Sequence, residues 1–132
     1  MPVQRDLVDV IAALPGSVAL PAQWSGFFDK RGPVPSQVDD QRRFPRFYFR
    51  TTAGLSYVAS LPSLERPAGS SRVFVKDISR GSAAFLHGEQ LFPRERVRLL
   101  LIDGVERLLE VTRCRRIQAN CFEVGARFVT GE

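Results

Sequence analysis

The sequence predicts a mainly β protein: a small closed antiparallel barrel of six to seven strands behind a short N-terminal helix. Three observations carry this expectation. From Arg46 onward, short runs of β-branched, aromatic and aliphatic residues alternate with turn signals. Within several runs the apolar residues recur at every second position, the period of a half-buried strand. Seven such runs fall within about 85 residues, and closing them into a barrel removes the edges that an open sheet would expose. A chain of 132 residues, 44% of them apolar, has material for one core and an appendage.

The elements follow in chain order. Residues 3–14 place Leu7, Val10, Ile11 and Leu14 at helical spacing, with Asp6 and Asp9 early and Pro15-Gly16 as the stop. One apolar stripe on a short helix cannot sustain it alone. The helix is therefore expected to pack on the barrel or on a second copy of the chain, which makes a homodimer a candidate state; a partner-binding helix is the sharper alternative. Residues 15–40 are rich in Pro, Gly and Ser and read as a linker whose aromatics, Trp24, Phe27 and Phe28, dock onto the main domain. The chain thus divides into a helix and linker at 1–40 and a barrel domain at 41–132. Strands are expected at 46–52, 55–60, 72–78, 83–87, 96–102, 106–117 and 121–129. Ala53-Gly54 and Asp103-Gly104 read as hairpin turns, the second of type I′ because Gly tolerates positive φ. Val97, Leu99 and Leu101 should share one face, as should Phe122, Val124, Ala126 and Phe128.

Charge is distributed unevenly. The formal net charge is +5, with three basic and five acidic side chains in residues 1–40 and sixteen basic against nine acidic in the rest. Only Lys30 and Lys76 are lysines; every other cation is arginine. A guanidinium fork suits phosphates and guanine edges, so the composition suggests an anionic ligand, although arginine-favouring codon usage gives the same bias. Cys114 and Cys121 make no disulfide framework, and with a turn near Asn120 Cys121 should face Ile117. Free thiols fit a reducing compartment, and with neither a signal peptide nor a membrane-length apolar run apparent the expected location is cytoplasmic, without membrane insertion.

Two stretches carry the chemistry. In Arg42-Arg43-Phe44-Pro45-Arg46, Pro45 fixes its own φ and biases Phe44 toward extended geometry, holding three guanidinium groups on a stiff lead-in to the first strand. In Asp77-Ile78-Ser79-Arg80-Gly81-Ser82, Asp and Ser at a strand end can bond to the turn backbone or present oxygens to a ligand. Alone, the first is most simply a solvated face and the second plain turn chemistry. Their order, spacing and strand context together are more specific.

On these residues the chain resembles the PilZ family, marked by RxxxR ahead of the first strand and [D/N]xSxxG roughly thirty residues later. Arg42 and Arg46 match the ends of the first motif, and Asp77 and Ser79 the first two positions of the second. Gly125-Ala126-Arg127-Phe128 resembles the family's final strand, and Val111-Thr112-Arg113 the one before it. The resemblance covers about residues 41–130. It departs at the closing glycine, which falls on Ser82, with Gly81 one place earlier. The resemblance implies a PilZ-like barrel that binds cyclic di-GMP, without a cofactor, and relays binding to a protein effector. Arg42 and Arg46 would be the principal clamps, Asp77 would read a guanine edge through its N1–H and N2–H donors, and Ser79, Gly81 and Ser82 would shape the turn. Arg43 and Arg80 are secondary candidates. If position 82 needs positive φ or close ligand approach, serine would weaken binding.

The other candidates carry bland readings. His87 lacks a second ligand for metal or catalysis, Arg113, Arg115 and Arg116 read as a solvated exterior, and Phe44, Phe47 and Tyr48 as core or rim. No P-loop, nucleophile elbow or acid–base couple supports an enzyme. Two rivals remain: a PilZ-like adaptor that works by protein contacts without nucleotide, and, less favoured, a barrel that binds nucleic-acid polymers.

Overall fold

A computed structural model describes residues 5–35 and 45–129. Six antiparallel strands close a barrel: β1 (Arg46–Ala59), β2 (Ser70–Ser79), β3 (Ser82–His87), β4 (Arg96–Leu100), β5 (Glu106–Gln118) and β6 (Cys121–Phe128). Their order around the barrel is β1-β2-β3-β6-β5-β4, with β4 returning to pair with β1. The expected architecture is present, at the lower end of the expected strand count. Alternation builds its interior: Ala53 and Leu55 of β1, Val73 and Val75 of β2, Phe85 of β3, Val97 and Leu99 of β4, Leu109 and Val111 of β5, and Val124 and Ala126 of β6 form one buried cluster. Each large apolar side chain so buried contributes about 1.5–3 kcal/mol.

Three local expectations are corrected. The runs at 46–52 and 55–60 are one 14-residue strand, so Ala53-Gly54 is not a hairpin turn. Gly54 is there because Leu14 packs over it: a Cβ on Gly54 would lie 3.0 Å from Leu14 Cδ1. Asp103-Gly104 does turn the chain between β4 and β5, but only Gly104 has positive φ, 86°, whereas a type I′ turn needs it at both central residues. Leu101 and Val105 instead flank a three-residue loop, with Leu101 N donating to Val105 O and Asp103 Oδ1 accepting from Val105 N. Cys121 lies opposite Gln118 rather than Ile117, although Ile117 packs against the same cluster, and both cysteines are free thiols.

The N-terminal helix α1 spans Arg5–Ala12 and packs against β1. Ile11 is fully buried and Leu7, Val8 and Leu14 are half-buried, but Val10, expected in the stripe, points outward and is 57% exposed. Residues 15–35 form a strap over the outside of the barrel. Arg72 N donates to Pro15 O, Ala19 N to Asn120 O, and Tyr48 N to Gly32 O, while Pro33 bridges to Phe47. Val18 and Phe27 of the strap bury a second, outer cluster with Leu86 and Cys121. The expected docking of aromatics is present: Trp24 stacks on Phe27, Phe27 meets Phe28 edge-on, and Phe28 meets Phe74 of β2.

Among the described residues, no helix is long and apolar enough to cross a membrane.

Candidate functional site

Parity along β1 and β2 decides which side chains meet. Phe49, Ala53 and Leu55 of β1 face the interior, so Arg46, Tyr48 and Arg50 face outward. On β2, Val75 lies opposite Phe85 of β3 but Asp77 lies opposite Ala84, so one extra residue, Lys76, is accommodated there. This irregularity places Lys76 and Asp77 together on the outer face, where unbroken alternation would separate them. Across β1 and β2, Tyr48 then lies opposite Asp77, and Arg46 opposite Ser79.

Arg46 and Asp77 are brought together. Nη1 of Arg46 lies 3.9 Å from Oδ1 of Asp77, an ion-pair contact rather than a hydrogen bond. The carboxylate is almost covered, its side chain 6% exposed, whereas that of Arg46 is 24% exposed. Burial raises the Asp77 pKa, and the neighbouring Arg46, Lys76 and Arg50 charges pull the other way.

Ser79 closes the β2–β3 turn. Its Oγ accepts from Gly81 N at 3.2 Å and Ser82 N at 3.1 Å and lies 3.0 Å from Ser82 Oγ. Neither Gly81 nor Ser82 has positive φ. Serine in place of the motif glycine therefore carries no backbone strain here, and its hydroxyl joins the turn network. Arg80 is exposed at the turn. Ser79 and Arg80 also line a hollow of about 740 Å³ at this end of the barrel, with Arg98, Glu106, Arg107 and Phe128, and neither Arg46 nor Asp77 reaches it. Arg42 and Arg43 lie outside the described residues, as does Phe44.

Four neighbours were not read from the sequence as part of a site. Arg50 links strap and barrel: Nε donates to Lys76 O at 2.9 Å, Nη1 donates to Phe27 O at 3.3 Å, and the guanidinium lies 4.2 Å from the Phe27 ring centroid and 4.9 Å from that of Tyr48. Its place beside Arg46 was available from strand parity. Lys76 pairs with the buried Glu123, which also accepts from Arg115. Burial opposes ionisation of Glu123, but these two cations hold its pKa below the ordinary value. Trp24, whose docking onto the barrel was expected, and Lys30 come from the strap, and nothing local placed either beside Arg50.

The remaining singled-out residues are structural. His87 is buried with Nε2 2.8 Å from Tyr57 Oη. Phe47 sits at the rim, 48% exposed. Arg113 covers Gly125, where a Cβ would lie 2.7 Å from Arg113 Nε. Among the described residues, no group of His, Cys, Asp and Glu side chains is arranged to hold a metal ion.

The outer face of β1 and β2 therefore presents Arg46, Arg50 and Lys76 around one covered carboxylate, beside a wall of strap aromatics. It can meet a phosphate with guanidinium forks, stack a planar ring, and offer an acceptor to a base edge. No family model matches this sequence, and no curated protein matches it.

Proposed function

We propose that the chain is a PilZ-like receptor for cyclic di-GMP that carries out no chemistry of its own. The observation that supports this reading best is the placement of Arg46 against Asp77 by the β1–β2 register, with the Ser79 turn beside them. Three residue types that suit a guanylate ligand, separated by thirty positions in sequence, share one outer face. The ligand draws Arg46 off Asp77 onto a phosphate or onto guanine O6 and N7, and the carboxylate then accepts from guanine N1–H and N2–H. Arg42 and Arg43 complete the clamp from the lead-in. Relay to a protein effector follows if the effector prefers the ligand-bound state.

Calorimetric titration of the full chain with cyclic di-GMP at near-physiological salt tests the reading. Saturable binding is expected, and Arg46→Ala should weaken it about tenfold or more, as loss of a bidentate guanidinium contact does. The melting temperature of the variant should stay nearly unchanged, because the 3.9 Å pair is long and partly solvated. An unaltered dissociation constant would remove Arg46 from the site.

One feature favours the nucleotide-free adaptor instead. The Ser79 hydroxyl is already engaged by the turn, and Asp77 is covered. If those contacts hold against the ligand, titration to about 100 µM gives no heat and no thermal shift, where a micromolar binder would be saturated.

A further inference from the structure

Beside the Arg46–Asp77 pair, a cleft of about 350 Å³ runs between the strap and the outer face of β1 and β2. Its chemistry differs from that of the larger hollow at the barrel end. Trp24 and Phe27 form an aromatic wall, their rings parallel to within 5°. Arg50, Lys76 and Lys30 supply three cations, and no carboxylate lines the cleft. Gly26, in the left-handed region at φ 76°, lets the strap turn back between the two aromatics without a side chain filling the space.

A surface cleft that combines stacking rings with a cationic lining suits a planar aromatic anion. Its position adds a length argument. Arg50 lies four residues along β1 from Arg46, a backbone spacing of roughly 13 Å at the ordinary strand rise. Lys76, in the cleft, immediately precedes Asp77. The cleft and the Arg46–Asp77 pair are thus neighbours on the outer face of β1 and β2. The barrel-end hollow, lined by Ser79, Arg80 and Glu106, shares no lining residue with this cleft.

We propose that the cleft beneath the strap is a second subsite of the same ligand, in which one purine stacks against Trp24 while Lys30 and Arg50 meet the adjoining phosphate. This inference rests on the cyclic di-GMP reading above and extends it: the strap becomes a wall of the ligand site rather than a tether. Lys76 already pairs with Glu123 and sets the local field, whereas Lys30 is exposed at the rim and able to swing onto an anion.

Trp24 is the sole tryptophan of the chain, so its emission reports on this part of the strap. The full chain is titrated with cyclic di-GMP by calorimetry and by tryptophan fluorescence in parallel, together with Lys30→Ala and Trp24→Ala. The expected result is a saturable change in Trp24 emission with the calorimetric dissociation constant. Trp24→Ala should weaken binding about tenfold, as loss of one stacked base does. Lys30→Ala, an exposed change that leaves the packing intact, should weaken it about two- to fivefold. Heat without any emission change, and with unaltered affinity in Lys30→Ala, overturns the subsite and leaves the Arg46–Asp77 site standing. Absence of heat in the unmodified chain overturns both.

Discussion

Burial beneath Arg46 raises the Asp77 pKa, so the ionised form that a guanine edge requires is the form the fold disfavours. The sign is definite. An acid with a higher pKa folded than unfolded costs stability once pH rises through the unfolded value toward the folded one. Asp77→Asn removes that cost. At pH 7 it should melt at the same temperature as the parent or slightly higher, while losing the acceptor pair and binding cyclic di-GMP about tenfold more weakly. A large fall in melting temperature with unchanged affinity would make Asp77 a structural residue. Ser82→Gly follows a similar logic. Because Ser82 does not have positive φ, glycine relieves no strain, and affinity should hold or improve modestly. A large loss in titration would mean that the hydroxyl itself contacts ligand.

The strap and the strands it crosses are held by glycines whose role is long-range. A Cβ on Gly88 would lie 2.1 Å from Ser17 Oγ and 2.8 Å from Val18 N, and the backbone nitrogen has no room to yield. Gly88→Ala should therefore lift the strap, cost roughly 1–3 kcal/mol in a melting experiment, and red-shift Trp24 emission as that half-buried ring gains solvent. Unchanged melting and emission would mean that the strap adapts freely. The same physics explains what was legible. Alternating apolar residues revealed the strands, since the barrel interior imposes period two on each of them. Gly54 misled, because a glycine that makes room for Leu14 looks in sequence like a glycine that makes a turn. The Arg46–Asp77 meeting was anticipated from the resemblance of the two motifs, whereas Arg50, though its parity with Arg46 was visible, was not read as part of the site. The irregularity that turns Lys76 and Asp77 to one side, and the placing of Lys30 beside Arg50, arise only from tertiary packing and left no local trace; the docking of Trp24 was legible, but not where it docks.

At the scale of the whole molecule, the barrel has two chemically different ends. The end near the β2–β3 turn carries the candidate site. Toward the other, Glu95 is fully buried, accepting from Ser60, from Phe92 N and from both Nε and Nη2 of Arg66, whose guanidinium lies over Tyr57 beside His87. Burial takes the His87 pKa down to about 4 from 6.5. Between those values the unfolded chain binds a proton that the folded one refuses, so stability should fall as pH drops from 6.5 to 4, by up to about 3 kcal/mol. Glu95 adds a separate loss. Although burial opposes its ionisation, Arg66, Phe92 and Ser60 hold its pKa below the ordinary carboxylate value, so its contribution is lost as pH falls below about 4.5. Melting curves at pH 7.5, 5.5 and 4 should show a decline that already begins above pH 5, and His87→Gln should flatten that upper part. A parent curve flat down to pH 4.5 would contradict the assignment.

Cyclic di-GMP, as proposed, is taken by the outer face of β1 and β2, where Arg46 Nη1 lies 3.9 Å from Asp77 Oδ1. Amide chemical-shift mapping by nuclear magnetic resonance during titration of the isotope-labelled chain tests it most directly. The expected result is saturable shifts concentrated at Arg46, Tyr48, Asp77 and residues 79–82, with β4 and β5 largely silent. Shifts confined to β4 and β5, or none at saturating ligand, would contradict it.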